Sequence, residues 1–358
     1  MNELIDKLNN LLAQRVYLTQ NFYSYNINID ENTQRIDACL RLLKQAGTST
    51  EIPFLLTQDS RDIYQGIASC AYCGKELLLI LHRLFNQDKQ QQHDLLDTLY
   101  QTSNTLDQIL ALNLALYSHQ KLKFTLPEDT SSTLFQQYLL YCFYTDTPTI
   151  PSTPILDDLS QLYYKVLNEP QDSIAIADCF VTLNYVDSQL FDIFILSLSE
   201  SSLIKVINFF STKAEYIRIF IAVIAISGYG KCIPLLAYYM QEACYTQSAF
   251  NALKLLLGEQ LDHIIPLNLQ LLSDDEQRIA ALRDYGVKIK DSANDKMTTW
   301  LTTRLLNGLP TNKEQLNKTY SSASQLHRRY ANLRLFLLTK TFSSLNFELL
   351  DTPSCIIV

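Results

Sequence analysis

A chain of 358 residues with net charge −8 and an isoelectric point near 5.2 has no concentrated positive field to hold phosphates. Its basic residues are scattered, with one dense group at Arg328-Arg329, so nucleic acid and anionic membrane are not expected partners. Hydrophobic residues at 47% suffice for folding, charged residues at 18% fall below the usual quarter or so, and the length suits two or three domains or one elongated array.

The first seven residues, Met1 to Lys7, are charged and amphipathic, unlike the basic-then-apolar layout of a signal peptide. Tyr23, Tyr25, Ile27 and Ile29 alternate with polar residues, and this short run is expected to be an extended connector. Ile36, Cys39, Leu40 and Leu43 then fall at i, i+3, i+4 and i+7, one apolar stripe of a helix. Asp30 or a neighbour can start that helix, and Gly47 can end it in the left-handed conformation. Capping boxes pair Thr48 with Glu51, Thr212 with Glu215, Ser273 with Glu276 and Thr311 with Glu314.

Cys70 and Cys73 form a C-x-x-C. A zinc site needs four ligands and no second pair stands at the right spacing. A redox pair usually sits in a βαβ setting, whereas Ala68 to Ile80 reads as helix. Packing on one helix face is therefore favoured for both, with a Cys-dependent enzyme as the competing reading. The eight cysteines lie mostly in apolar helical patterns and have no small-disulfide-framework spacing, which suits a reducing, cytoplasmic setting. The polar run Asn86 to Asp94 is a weak break, and Leu122, Phe124 and Leu126 form a second short connector. Between Asp146 and Asp158, Pro148, Pro151 and Pro154 recur every third residue, as in a polyproline II linker.

Beyond this linker helices come in pairs at a period near thirty residues: 155–168 with 172–183, 188–198 with 200–211, 214–227 with 231–242, and 246–257 with 262–272. Ile217, Phe220, Ile221, Val223 and Ile224 make one helix apolar nearly all round, hence buried on both sides. The stretch from Ile217 to Ile226 is too short for a bilayer, which needs about 20 apolar residues. Gly228-Tyr229-Gly230 makes a tight turn, and Pro234 lies in the first turn of the next helix, where a missing amide costs little. Neither helix can hide its apolar surface alone, so neighbouring pairs must stack. The expected fold is all-α: a HEAT-like α-solenoid of stacked helix pairs over 159–358 with a C-terminal capping helix, a linker at 146–158, and an N-terminal helical region over 1–145.

Segment Tyr216 to Leu261 resembles a HEAT-type repeat, and the chain is similar in several places to one bacterial HEAT-like family. The resemblance is carried by Ile29-Asp30 and Arg35-Ile36-Asp37-Ala38 near the start, and by Ile233-Pro234-Leu235-Leu236 and Ser248-Ala249-Phe250 in the middle. Near the end it is carried by Gln325, Arg328-Arg329, Ala331 and Leu333, followed by Phe347-Glu348 and Pro353. Genes of that family often lie near those of type VI secretion spike proteins and effectors. The resemblance implies a non-catalytic, chaperone-like accessory that binds a spike or effector component, with no catalytic residues to carry over. The family's ending is polar or basic, whereas this chain ends Cys355-Ile356-Ile357-Val358.

Five histidines, His82, His93, His119, His263 and His327, show no ligand spacing, and nucleophile and phosphate-loop motifs are absent. Neither a metal nor a cofactor is expected. Arg328 and Arg329 could grip a partner carboxylate, but are better explained as one solvated and one paired with an acid of the preceding repeat. Tyr238 and Tyr239 could line a protein-binding face, since Tyr offers large area at low entropy cost. The last four residues fit the C-a-a-X pattern, so an alternative is an effector acting in a eukaryotic host and prenylated at Cys355.

Overall fold

The computed structural model describes residues 2–20, 24–46, 89–101, 105–117, 126, 130–146, 157–168, 172–270, 272, 274–296 and 303–340. These are mostly helical, with a single two-stranded hairpin among them. Cys70, Cys73, Cys355, Gly47, the Thr48–Glu51 pair and the three prolines of the linker lie outside the described residues. Contacts divide the chain into two units, one of residues 1–167 and 342–351, the other of 168–341 and 352–358.

In the first unit, α1 (Asn2–Gln20) packs against α2 (Asn26–Gln45), α3 (Lys89–Tyr100) against α4 (Thr105–Tyr117), and α4 against α5 (Ser132–Thr145). From Asn26 on, the run expected as a connector forms the first turn of α2, while Tyr23 lies outside the described residues. Ile29 is buried with Ile36, Cys39 and Leu43, so Ile29, Asn32, Ile36, Cys39 and Leu43 make one stripe at steps of three and four. Helical period overrides the local alternation there, and the helix starts four residues before Asp30. Asn32, buried in that stripe, donates from Nδ2 to the Leu11 carbonyl of α1 at 3.0 Å. The weak break at 86–94 is overruled in its second half, where Lys89 opens α3. Helix α6 (Asp158–Asn168) starts on Asp157, whose carboxylate accepts from the Ser160 amide, and Gln136 of α5 donates to the buried Ser160 hydroxyl at 3.3 Å. That helix, which opens the repeats in the sequence reading, therefore clusters with the first unit.

The second unit continues with α7 (Ser173–Thr182), α8 (Gln189–Ser197), α9 (Glu200–Ser211), α10 (Ile217–Ser227), α11 (Ile233–Tyr239) and α12 (Thr246–Leu257). The starts of α7, α8 and α9 are capped by Asp172, Ser188 and Ser199, each accepting an amide three residues on. Pro234 sits in the first turn of α11. Alternate helices pack on one another, α7 on α9, α8 on α10 and α10 on α12, while α9 packs on α10 and α11 on α12. Close packing thus runs one helix out of step with the pairs read from spacing: 200–211 lies against 217–227, and 233–239 against 246–257. The core between them holds Phe180, Phe191, Phe194 and Phe210, whose rings meet at 5.0–6.3 Å.

Two short helices, α13 (Glu259–Asp262) and α14 (Leu267–Gln270), lead to α15 (Asp275–Lys296), which packs on α11 and α12. A hairpin of β1 (Leu305–Leu306) and β2 (Leu309–Pro310) then precedes α16 (Lys313–Ser322) and α17 (Gln325–Thr339), which pack together. The caps at α15 and α16 fall one residue after the expected Ser273 and Thr311. Asp274 accepts from the Gln277 amide at 3.0 Å and Asn312 from the Gln315 amide at 2.9 Å, each Asx oxygen taking the third amide of its helix, while Ser273 itself lies outside the described residues. Thr212 does not cap; its hydroxyl donates to the Phe209 carbonyl at the end of α9. Among the described residues no helix is long and apolar enough to cross a membrane.

Candidate protein-binding surface

Helix α17 is buried on every side from Gln325 to Phe336, although it carries His327, Arg328, Arg329, Asn332 and Arg334. A charged side chain survives such burial only when paired or hydrogen-bonded. Arg329 donates to Asp192 of α8 at 2.7 Å, and Tyr330 donates to the other oxygen of that carboxylate at 3.2 Å. Arg334 donates to the Ile226 carbonyl at the C-terminal end of α10 at 2.6 Å. His327 reaches the Lys254 carbonyl near the end of α12 at 2.9 Å and the Ser324 hydroxyl at 2.9 Å. A carbonyl only accepts, so His327 carries its proton on Nε2, and Nδ1 accepts from Ser324 when the ring is neutral.

The hairpin completes this capping. Leu305 N–H donates to the Gly228 carbonyl, and the Asn307 and Gly308 N–H groups donate to the Leu255 and Leu256 carbonyls. A helix leaves its last four carbonyls without intrahelical partners. At the ends of α10 and α12, residues about fifty to a hundred and ten positions downstream supply donors to several of them, and cationic Arg334 also suits the negative end of the helix dipole. Glu200, at the start of α9, is held by both Tyr229 and Arg304, which fastens the hairpin to the stack. Those two donors hold the Glu200 carboxyl below its ordinary range.

Burial sets the titration of this interior. It pushes the Asp192 carboxyl up to about 6, against the pull of Arg329 and Tyr330. It lowers His327 to about 4 and Arg334 to about 9. In the first unit burial raises the Cys142 thiol to about 11 and Tyr100 to about 12. Among the described residues no group of three or more His, Cys, Asp or Glu side chains comes together as a metal would require.

Arg328 and Arg329 are therefore not surface groups. They are 3% and 6% exposed, Arg328 Nε donates to the Tyr320 carbonyl at 2.8 Å, and its guanidinium lies 5.0 Å from the Tyr320 ring centre. Arg329 does pair with an acid of an earlier helix, whereas Arg328 is not solvated. The signal for the acid partner was Asp192 itself, a lone carboxylate inside the apolar stretch Leu190 to Leu198. The binding role offered for these two arginines is thereby corrected, since neither can reach a partner's carboxylate.

Tyr238 faces out. It is 49% exposed, and Leu235, one turn before it on α11, is 37% exposed. The opposite side of α11 is sealed by Ile233, Leu236 and Ala237 against α12 and α15. Gly286 of α15 allows that seal, because a Cβ there would lie 2.8 Å from the Ala237 carbonyl. Tyr239 is half-buried, with ring centres 5.7 Å from Tyr238, 5.8 Å from Tyr245 and 6.1 Å from buried Phe220. Burial raises the Tyr239 hydroxyl above its ordinary range. Sequence reading singled out the two tyrosines but missed Leu235 and Tyr245; spacing of three between Leu235 and Tyr238 was the available signal. Comparison with known proteins finds no matching family model, no matching curated protein and no matching solved structure.

Proposed function

We propose that this chain is a non-catalytic protein-binding scaffold built on HEAT-like stacked helix pairs, acting in the bacterial cytoplasm as an accessory or chaperone-like factor of type VI secretion. The alternation of packing, α8 on α10 on α12 with α7 on α9, supports the stacked-pair reading. The secretion role is supported by the sequence resemblance alone. The observation that carries the binding role is the outward pair Leu235 and Tyr238, an aromatic and an aliphatic anchor over a packed aromatic base. Tyr is among the residues enriched where binding energy concentrates at protein interfaces, and Leu235 extends its apolar contact area. Helix α17 lies across α8 and the ends of α10 and α12, so a partner meets α11 rather than those surfaces.

The test places a photo-crosslinking amino acid at Tyr238 in the native host. A secretion spike or effector component joined at Tyr238, and absent when the crosslinker replaces exposed Tyr17 instead, is the expected result. Recovery of no secretion protein overturns the secretion assignment, and recovery of no protein at all overturns the scaffold reading.

A further inference from the structure

The turn joining α11 to α12 carries two guanidiniums delivered from different helices. Arg218, in the first turn of α10, donates from Nη2 to the Cys244 carbonyl at 3.3 Å. Arg283 of α15 donates from Nε to the Gln241 carbonyl at 2.9 Å. Both side chains are exposed. Among the described residues neither meets a carboxylate within 4 Å. Each uses one N–H to grip the turn, and a guanidinium has five, so donors remain on both. The segment so gripped, Gln241 to Cys244, lies between Tyr239 and Tyr245, whose rings are in contact. Glu242 is the one acidic side chain on that turn, which leaves two positive groups against one negative beside the apolar Leu235–Tyr238 face.

Holding a long cationic side chain by its backbone contact lowers the ordering cost that an interface otherwise bears. A planar guanidinium with free donors matches the two oxygens of a carboxylate. We infer that the Leu235–Tyr238–Tyr239 face binds an acidic amphipathic segment of another protein, its apolar side chains on Leu235 and Tyr238 and its carboxylates on Arg218 and Arg283. The inference rests on the scaffold reading and adds the chemistry of the partner to it. Apolar contact supplies most of the affinity, while the arginines set orientation and salt dependence.

A random peptide library displayed on phage, selected against the intact protein, tests the assignment. Enriched peptides are expected to carry at least two Asp or Glu flanking Leu, Phe or Trp. The most enriched peptide, made synthetically, should bind about 30-fold more weakly to Tyr238→Ala, the loss of one interface anchor. The Arg218→Glu/Arg283→Glu variant should weaken it at least about tenfold and reverse the sign of its salt dependence, since salt then screens a repulsion. Arg218→Gln/Arg283→Gln provides the milder substitution if charge reversal disturbs folding, which the thermal midpoint reports. Enriched peptides without acidic bias, or binding indifferent to both arginine variants, overturn the acidic partner yet leave the scaffold reading intact. Absence of any enriched peptide also overturns it, and the crosslinking at Tyr238 then judges the scaffold reading separately.

Discussion

Asp192 and Arg329 stand 137 residues apart in sequence and form a fully buried ion pair 2.7 Å long. Asp192 lies on α8 near the start of the stack, and Arg329 lies on the chain's last described helix. Removing one partner strands the other in an apolar interior. Arg329→Met should cost about 3–5 kcal/mol in urea unfolding, because the Asp192 carboxylate remains without its countercharge. Replacing both, Asp192→Leu with Arg329→Met, should recover a large part of that loss. Strictly additive losses in this double-mutant cycle would show that the pair is not coupled.

His327 makes stability depend on acid. Burial lowers its folded pKa to about 4 from its ordinary value of 6.5, so between these values the unfolded chain binds the extra proton. Its contribution is complete above pH 6.5 and declines as pH falls toward 4, by up to about 3 kcal/mol. Asp192 acts in the opposite sense. Its folded pKa of about 6 exceeds the ordinary carboxyl value, so the folded chain takes up that proton first and gains stability as pH falls through 6. The His327→Gln variant isolates the histidine. Its stability deficit relative to wild type should be largest at neutral pH and shrink toward pH 4.5. A deficit constant across that range would mean that His327 is not held neutral.

These two interior groups mark where sequence reading stops. Helices show through their period, as with Ile217 to Ile224, because a one-dimensional pattern of apolar residues records which face is covered. The same reasoning placed Pro234 correctly, since its constraint is local. The alternation of Tyr23, Tyr25, Ile27 and Ile29 points to a connector, yet from Asn26 on the chain is helical because Ile29 joins the buried stripe of Ile36. The expected caps Ser273 and Thr311 each stand one position before an Asx residue, and Asp274 and Asn312 are the ones that accept the helix amides. Arg328, Arg329, Arg334 and His327 resemble a surface helix by composition. Their partners are Asp192 and carbonyls at 226, 254 and 320, which no local pattern reveals. Tyr238 and Tyr239 are neighbours in sequence with different environments, and the packing of Tyr239 against Phe220 and Tyr245 separates them.

Gly228 joins two of these distant contacts. It ends α10 with φ of 80°, and a Cβ there would sit 2.8 Å from both the Arg334 guanidinium and the Leu305 carbonyl. The Leu305 backbone is tied to Gly228 by its own N–H, at 2.7 Å, so it has little room to retreat. Gly228→Ala should therefore cost more than the usual 1 kcal/mol or so of a left-handed alanine, about 2–3 kcal/mol by denaturant unfolding. Shortening Arg334 to Met removes one of the two collisions, so Gly228→Ala should cost less in that background. An equal cost in both backgrounds would place the strain wholly in the backbone.

Thiol reactivity offers a footprint of the α11–α12 turn. Cys244 is exposed on it, while Cys39 and Cys142 are buried and burial holds the Cys142 thiol up at about 11. The thiolate is the reactive form, so a buried thiol with a raised pKa is slow for two reasons. Iodoacetamide at neutral pH, read by peptide mass spectrometry, should alkylate Cys244 well before Cys39 or Cys142, with Cys179 and Cys232 between them. Urea should bring Cys39 and Cys142 to similar rates. A peptide seated between Arg218 and Arg283 covers the Cys244 carbonyl side of the turn, so its presence should slow alkylation of Cys244 without changing Cys179. Unchanged labelling of Cys244 under saturating peptide would place the peptide elsewhere on the molecule.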